Sequence, residues 1–378
     1  MVLLVAAMAV VAVVAPPVSA ARSGHTVRVM TRNLYLGADL TPALQAKNPD
    51  ELKDAAGEIF NQVKENDFPV RAKGLAQEIL KTRPDLVGLQ EAALWRTAPK
   101  CKFFLPPGPY TAKHVAYDYI KLLLKQLNKG KRHYRVVAAE PEFDFETEAN
   151  TNGSADHSCD KDVRLTMRDA ILARVHAGVE VKHTKTGHFK TLFAPKLLGL
   201  ITVPVARGWV SADVKVRGSR WFRFVDTHLE SFDNQASNPT NHGTDVGNGK
   251  VREAQAKELI HKGGPAKGRL PVILVGDLNS DVRTPLKPGD QLADHALLKA
   301  GFRERSTYHP LSCCLNTPLL AFPGGGGKAS DFNHKVDHVM TNRPTRIKLI
   351  DSVITGRHPV DGFWDSDHAG TFSALTLP

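Results

Sequence analysis

The chain has 378 residues, of which 42% are hydrophobic and 24% are charged. This is ordinary globular composition, and the absence of internal repeats and of long low-complexity spacers excludes a repeat architecture and favours one domain. The formal net charge of +11 favours a polyanionic partner, either nucleic acid or an anionic lipid surface, although the same charge also promotes solubility.

The first 20 residues are predicted to be a signal peptide. They carry no charged side chain, and the apolar run at residues 2–14 is shorter than the roughly 20 residues needed to cross a bilayer. Small residues at Val18 and Ala20 suit cleavage after Ala20, although the segment lacks the usual Lys or Arg. We therefore expect a secreted protein whose mature part is one domain comprising residues 21–378, with no later membrane span. A buried N-terminal strand or a lipid anchor is the alternative.

Four cysteines, Cys101, Cys159, Cys313 and Cys314, agree with an oxidising compartment. Their sequence alone does not distinguish the three possible pairings. We predict a Cys101–Cys159 bridge, because each of these residues lies in a polar insertion that a crosslink would stabilise. Cys313 and Cys314 would then form a bridge between neighbours or stay reduced. The spacing is not that of a metal site.

Apolar periodicity predicts strands that alternate with helices. Helices are predicted at residues 70–81, 116–129 and 251–261. Strands are predicted at residues 27–30, 85–89, 134–138, 170–173, 221–225, 272–275, 336–340 and 371–375. This order indicates a layered α/β domain.

Four of the predicted strands run directly into polar side chains. The strands lead to Asn33, to Glu91, to His228, and to the pair Asp277 and Asn279. One such residue after a strand is typical of a turn or a helix cap. Four in one chain predict a functional site, because α/β sheets bind ligands at the carboxyl ends of their strands.

The motifs at these strand ends resemble those of the endonuclease/exonuclease/phosphatase superfamily, in the same order along the chain. They are Thr31-Arg32-Asn33-Leu34, Leu89-Gln90-Glu91, Thr227-His228-Leu229-Glu230, Gly276-Asp277-Leu278-Asn279-Ser280, Val336-Asp337-His338-Val339 and Ser366-Asp367-His368. The resemblance implies an α/β (α+β) fold, a four-layer sandwich of two mixed β-sheets flanked by helices. It also implies hydrolysis of phosphate esters, and we expect a monomer.

The resemblance implies a divalent metal ion, Mg²⁺ or Mn²⁺. Phosphate esters repel nucleophiles, so a hard cation that screens their charge assists attack. Glu91 is the best candidate ligand, with Asn33 beside it and Asp367 contributing. Such a sparse set of oxygen ligands suits magnesium, which retains several waters.

The remaining motif residues are expected to carry the chemistry. Asp277 is expected to orient or deprotonate the attacking water, and Asn279 to hold a phosphate oxygen. His368 is expected to donate to the charge that develops in the transition state. In the pattern of the superfamily, Asp337 fixes the tautomer of His368.

His228 is similar to the second histidine of the deoxyribonuclease branch, a general acid for the leaving oxygen. In that branch an acid on a preceding strand pairs with this histidine, and Asp169 stands in the matching place. A carboxylate there favours a cationic, proton-donating His228. Alternatively, Asp169 pairs with Arg174 at the strand edge.

The leading hypothesis is a secreted phosphodiesterase with nuclease activity. The alternatives are a sphingomyelinase-type phospholipase C, an inositol-phosphate phosphatase, and a non-catalytic binding protein on the same fold. The basic segment 207–223 would support a nuclease if it formed a phosphate-binding hairpin, but it could be a solvated face. The apolar segment 189–205 could be a lipid-binding hairpin or a pair of ordinary strands. The insertions 96–110, 141–162, 231–250 and 305–334 are expected to decide specificity.

Overall fold

The computed structural model describes residues 24–99, 101–102, 109–232, 248–315, 327–343 and 346–377. The predicted signal peptide lies outside the described residues, as do parts of the predicted insertions 96–110, 231–250 and 305–334. In the described part of the chain, no helix is long and apolar enough to cross a membrane.

Eight strands form the first sheet, in the order β15-β16-β1-β2-β6-β3-β4, with β5 also paired to β6. Their bounds are β1 His25–Asn33, β2 Leu86–Gln90, β3 Leu94–Ala98, β4 His114–Asp118, β5 Tyr134–Ala149, β6 Lys161–Arg174, β15 Lys348–Thr355 and β16 Gly370–Leu377. In this sheet β1 and β2 are parallel, and all the other paired strands are antiparallel.

Six strands form the second sheet, in the order β13-β14-β12-β11-β10-β7. Their bounds are β7 Val179–His188, β10 Gly208–Val216, β11 Phe222–His228, β12 Val272–Asp277, β13 Arg303–Glu304 and β14 Asp337–Thr341. The pair β11 and β12 is parallel. A separate small hairpin joins β8 Lys196–Leu197 to β9 Ile201–Thr202.

Six α-helices and one 3₁₀ turn lie in the described part of the chain. They are α1 Thr41–Gln45, α2 Pro49–Glu65, α3 Phe68–Thr82, α4 Tyr119–Leu127, α5 Lys250–Ile260, α6 Leu292–Lys299 and the turn Ala329–Asp331.

Three apolar cores separate four layers. The core between the sheets packs Val29 and Leu86 of the first sheet against Phe224 and Val275 of the second. The helices α2, α3 and α4 cover the outer face of the first sheet, and α5 and α6 cover that of the second. The predicted four-layer sandwich of two mixed sheets flanked by helices is confirmed.

Two element predictions need correction. The helix predicted at 116–129 begins at Tyr119, because residues 116–118 belong to β4, which pairs with β3. The Asp118 side chain accepts a hydrogen bond from Lys121 N at 3.3 Å and so caps the helix. Half of the predicted insertion 141–162 is strand, because β5 continues to Ala149 beside β6.

The sequence prediction missed α2, the longest helix in the described part of the chain. Its start has a recognisable signal, since the Asn48 side chain accepts from Glu51 N at 2.9 Å and Pro49 occupies the first turn. Its apolar stripe includes Leu52, Ile59 and Val63. This helix matters for function because Ile59 also lines a cavity beside the predicted site.

The predicted Cys101–Cys159 disulfide is confirmed. It joins the segment after β3 to the segment before β6, across 58 residues of sequence. The sulfur atoms of Cys313 and Cys314 lie against each other, as in the bridged one of the two alternatives.

Candidate active site

The carboxyl ends of two parallel strand pairs, one from each sheet, meet at one edge of the sandwich. In the first sheet Asn33 pairs in register with Gln90, next to Glu91, and in the second His228 pairs with Asp277. The Asn33 amide joins the two sheets, because its Nδ2 donates to Glu91 Oε1 at 3.2 Å and to Asp277 Oδ2 at 3.1 Å. The predicted strand-end residues therefore form one cluster.

Asp277 lies at the centre of this cluster and is buried. Its Oδ2 is 3.5 Å from His228 Nε2 and 3.6 Å from His368 Nε2. Burial raises the pKa of Asp277 to about 6, with His368 lowering it and Asp337 raising it. A carboxylate with this pKa can accept a proton near neutral pH.

A glycine sets the position of Asp277 on its strand. Gly276 has φ of 152°, and a Cβ at this residue would collide with the Thr227 carbonyl of β11. Only glycine allows β11 and β12 to stay paired up to Asp277 without strain.

His368 and Asp337 form the predicted buttress. Asp337 Oδ2 is 2.9 Å from His368 Nδ1 and also accepts from Ser312 Oγ at 2.7 Å. Burial opposes the charged form of His368, but the carboxylates of Asp337, Asp277 and Asp367 outweigh it and raise its pKa well above the usual value. These carboxylates therefore favour the protonated, cationic form of His368.

Asn279 reaches the same cluster through a left-handed backbone conformation, with φ of 46°. Its backbone N donates to Asp277 Oδ1 at 2.9 Å, and its side-chain Nδ2 donates to Leu229 O at 3.0 Å. Nδ2 also lies 3.2 Å from His228 Nε2. The Asn279 amide is thus held against the ring of His228, the predicted general acid.

The predicted pairing of His228 with Asp169 does not form. The guanidinium of Arg207 occupies that place, with Nη1 2.9 Å from His228 Nδ1. Burial, Arg207 and the charge of His368 lower the pKa of His228 well below its usual value. The expected cationic His228 is therefore corrected to a neutral imidazole, which accepts from Arg207 at Nδ1 and carries its proton on Nε2.

Asp169 belongs instead to a buried group of acids beneath the cluster, and it makes no ion pair with Arg174, which binds Asp85. Burial and the neighbouring Glu142 and Asp226 raise its pKa well above the usual value. Burial likewise raises the pKa of Glu142 to about 8, against the lowering effect of Arg207. The raised pKa values favour the neutral forms of these acids, which weakens the charge that Asp169 could place on His228.

Glu91 and Asp367 are the residues that fit a hard cation. Both side chains face the same cavity. Burial raises the pKa of Asp367 to about 6, with His368 lowering it and Glu91 raising it. Two acids that repel each other across an open space suit a divalent ion with oxygen ligands. Asn33 was predicted to be a metal ligand beside Glu91, but its oxygen is not directed at the metal-binding candidates. Its Oδ1 accepts a hydrogen bond from Tyr35 N at 2.9 Å, and its Nδ2 faces the carboxylates.

Two buried arginines that the sequence prediction missed hold the loops of the site together. Arg71 of α3 donates to Leu34 O at 2.8 Å, to Tyr35 O at 3.1 Å and to Asp365 O at 2.9 Å. Arg32 donates to the carbonyl of His368. Only the position of Arg32 inside the first motif could have indicated such a role.

The Cys313–Cys314 pair also borders the site, a position that the sequence did not predict. Cys313 Sγ lies 3.6 Å from His368 Nε2, and Cys314 Sγ lies 3.9 Å from the same atom. The bonded pair therefore packs against the catalytic candidate, on the side opposite the Asp337 carboxylate.

The basic segment 207–223 does not form a phosphate-binding surface. Arg207 is buried against Glu230, and Arg217 and Arg223 form ion pairs with Asp85 and Asp213. The turn between β10 and β11 lies at the amino end of β11, away from the site. The interpretation as a basic hairpin beside the site is therefore wrong.

Comparisons with known proteins agree with this architecture. Residues 59–368 match the family model described as the Endonuclease/Exonuclease/phosphatase family. A search of curated proteins found no match. The crystal structure of an endonuclease/exonuclease/phosphatase from Bacteroides vulgatus is similar, with a TM-score of 0.50 and 15% identity over 94% of this chain and 100% of that chain.

Two further solved structures are similar at lower scores. D. rerio TDP2 complexed with single strand DNA product has a TM-score of 0.48 and 15% identity, over 93% of this chain and 99% of that chain. The Bacteroides thetaiotaomicron mannosyl-6-phosphatase has a TM-score of 0.48 and 13% identity, over 93% of this chain and 100% of that chain. At such identities the similarity concerns the fold alone.

Proposed function

The chain belongs to the endonuclease/exonuclease/phosphatase family, a group of phosphoester hydrolases, and on that premise we propose that it is an exported, divalent-metal-dependent phosphodiesterase. The observation that carries the proposal is the position of Asp277. Its carboxylate contacts the Asn33 amide and faces ring nitrogens of His228 and His368. Export and a monomeric state stay predictions from the sequence.

Glu91 and Asp367 would hold the metal ion, either Mg²⁺ or Mn²⁺. The bound ion would supply screening of the negative phosphate oxygens. Asn33 positions Glu91 relative to Asp277, because one amide nitrogen donates to both carboxylates. Leu36 N fixes the second oxygen of Glu91 at 2.7 Å.

In this proposal, a separate catalytic role belongs to each of Asp277, His368 and His228. Asp277 accepts the proton of the attacking water, since its raised pKa makes it a competent base. The His368 cation, held by Asp337, donates to the oxygen on which negative charge develops. Neutral His228 donates a hydrogen bond through Nε2, and Asn279 holds a phosphate oxygen beside it.

Nuclease activity was predicted from the net charge and from the basic segment 207–223, and only the net charge still supports it. The net charge of +11 still favours a polyanionic substrate. The ion pairs of Arg217 and Arg223 remove the local surface that was expected to follow a nucleic-acid backbone. The proposal therefore names the reaction, phosphodiester hydrolysis, without depending on the nuclease prediction.

The test is hydrolysis of bis(p-nitrophenyl) phosphate by metal-stripped protein. We expect no turnover until Mg²⁺ or Mn²⁺ is added, and loss of turnover with EDTA, because the carboxylates of Glu91 and Asp367 repel the anionic ester unless a cation screens the charge. Melting curves with and without EDTA control for unfolding. Full activity in the stripped, folded protein would refute the metal-dependent mechanism.

A further inference from the structure

A cavity of about 680 Å³ opens directly beside the two metal-binding candidates, Glu91 and Asp367. Its walls come from α1 and α2, from the ends of β5 and β6, and from the β8–β9 hairpin. The volume is within the range of cavities that bind a small molecule.

The walls of this cavity are mainly hydrocarbon. Trp95, Phe143, Phe145, Leu165 and Val203 are typical of the lining. A space of this kind gives water few hydrogen-bond partners, and it binds apolar groups well. The ligand part that enters it must therefore be apolar.

Three of the four charged side chains of the lining lie at the catalytic end, and the fourth, Asp39, is exposed to solvent. Glu91, Asp367 and Arg207 belong both to the cavity wall and to the cluster around Asp277 and His228. A ligand that fills the cavity therefore places one end among these charges. Its chemistry must be amphipathic, with a phosphate ester at one end and a hydrocarbon group at the other.

The β8–β9 hairpin links this cavity to the protein surface. Leu197 faces inward and is buried, whereas Leu200, at the tip of the same hairpin, is 85% exposed. One exposed leucine is ordinary on a protein surface. Here the same hairpin presents one leucine to the cavity wall and another to solvent, where a lipid surface could be contacted.

We propose that the substrate is a lipid phosphodiester whose hydrocarbon chain occupies this cavity while its phosphate lies at Glu91 and Asp367. The proposal rests on the phosphodiesterase function proposed above. A nucleic acid fits less well, because its sugars and bases need polar partners that a hydrocarbon wall lacks.

The test uses p-nitrophenyl alkyl phosphodiesters with chains from methyl to dodecyl, below their micelle concentrations, with Mg²⁺ present. We expect kcat/KM to rise by up to about fourfold for each methylene that enters the cavity, and then to level off when it is full. Hydrolysis that does not depend on chain length would overturn the lipid inference and leave the phosphodiesterase intact. Failure to cleave any member would overturn the proposed function itself, and the lipid inference with it.

A cavity-filling variant locates the effect. Ala43→Trp adds bulk from half-buried α1, and we expect it to remove most of the dependence on chain length. Ile350→Trp, at a 55% exposed position on β15, is the matched control and should keep the full dependence. If Ala43→Trp does not fold, Val203→Trp approaches the same space from the hairpin. A folded cavity variant with the full dependence would overturn the assignment, as would plasmid nicking combined with a flat chain-length series.

Discussion

Two histidines of the cluster have opposite protonation because of their immediate neighbours. His368 faces three carboxylates and has a raised pKa, whereas His228 faces the Arg207 guanidinium and has a lowered one. Both rings are buried, so burial does not distinguish them. The partner of Nδ1, which is Asp337 for His368 and Arg207 for His228, therefore decides which histidine carries charge and which one stays neutral.

At Asp277 and His368, we expect Asp277→Asn and His368→Gln each to lower kcat by about 10²–10³-fold or more, because each removes a group that manages a proton or a charge in the transition state. Turnover of bis(p-nitrophenyl) phosphate is the measurement. Asp351→Asn, an exposed change on β15, is the control and should keep wild-type turnover. Wild-type rates in either site variant, with unchanged melting, would remove the assignment.

The buried Arg207 also neutralises Glu230, with Nη2 3.4 Å from Oε1. Arg207→Gln should lower the free energy of unfolding by about 3 kcal/mol or more, because it leaves a buried carboxylate unpaired. Adding Glu230→Gln should recover part of that loss, as urea denaturation of both single variants and the double variant would reveal. Strictly additive effects would mean that the two side chains do not stabilise each other.

At the scale of elements, a buried ion pair joins the short strand β13 to β14. His338 Nδ1 contacts Glu304 Oε2, and both residues are held by backbone or hydroxyl partners, including Ser280 O. Burial opposes both charges. Even so, Glu304 raises the pKa of His338 to about 9, and His338 lowers the pKa of Glu304 to about 2. The pair thus holds an edge strand that has only two residues.

This pair predicts a defined dependence of stability on pH. The contribution of His338 is fully present below its ordinary pKa of 6.5 and is lost as pH rises through about 9. The contribution of Glu304 is present above 4.5 and is lost as pH falls through about 2. Between pH 6.5 and 9, the wild type should lose on the order of 3 kcal/mol that His338→Gln does not lose.

Urea denaturation across that pH range measures the difference. His358→Gln, at an exposed position, should follow the wild-type profile. Parallel curves for the wild type and His338→Gln would contradict the raised pKa.

At the scale of the whole molecule, the Cys101–Cys159 bridge ties together two segments that enclose β4, α4 and β5. Closing a loop of this length limits the unfolded chain, which by closure entropy stabilises the fold by about 4 kcal/mol before strain. Cys101→Ser with Cys159→Ser should therefore lower Tm clearly. Turnover at low temperature should change much less, because neither cysteine touches the Asp277 cluster.

Calorimetry of the double serine variant is the direct measurement. Mass spectrometry of the wild type should find no free thiol at Cys101 or Cys159. Free thiols at both positions in protein purified without reducing agent would contradict the bridge.

The sequence by itself determined the layered fold and most of the candidate site. Strand periodicity and polar residues at strand ends are local signals, and parallel strands of one sheet present their carboxyl ends at the same edge. Asn33, Glu91, His228 and Asp277 could therefore be placed together from the strand ends, and the resemblance to the family implied that His368 joins them. The family motifs supplied their order and their expected roles.

Only the tertiary structure decided which partner each of these groups faces. Arg207 lies beside His228 in the place where the family pattern predicted Asp169, and no motif in the sequence marks Arg207. The cavity beside Glu91 likewise forms from α1, α2, β5, β6 and the β8–β9 hairpin. Charge state and cavity shape depend on burial and on contacts between distant segments, and neither leaves a periodic signal in the sequence.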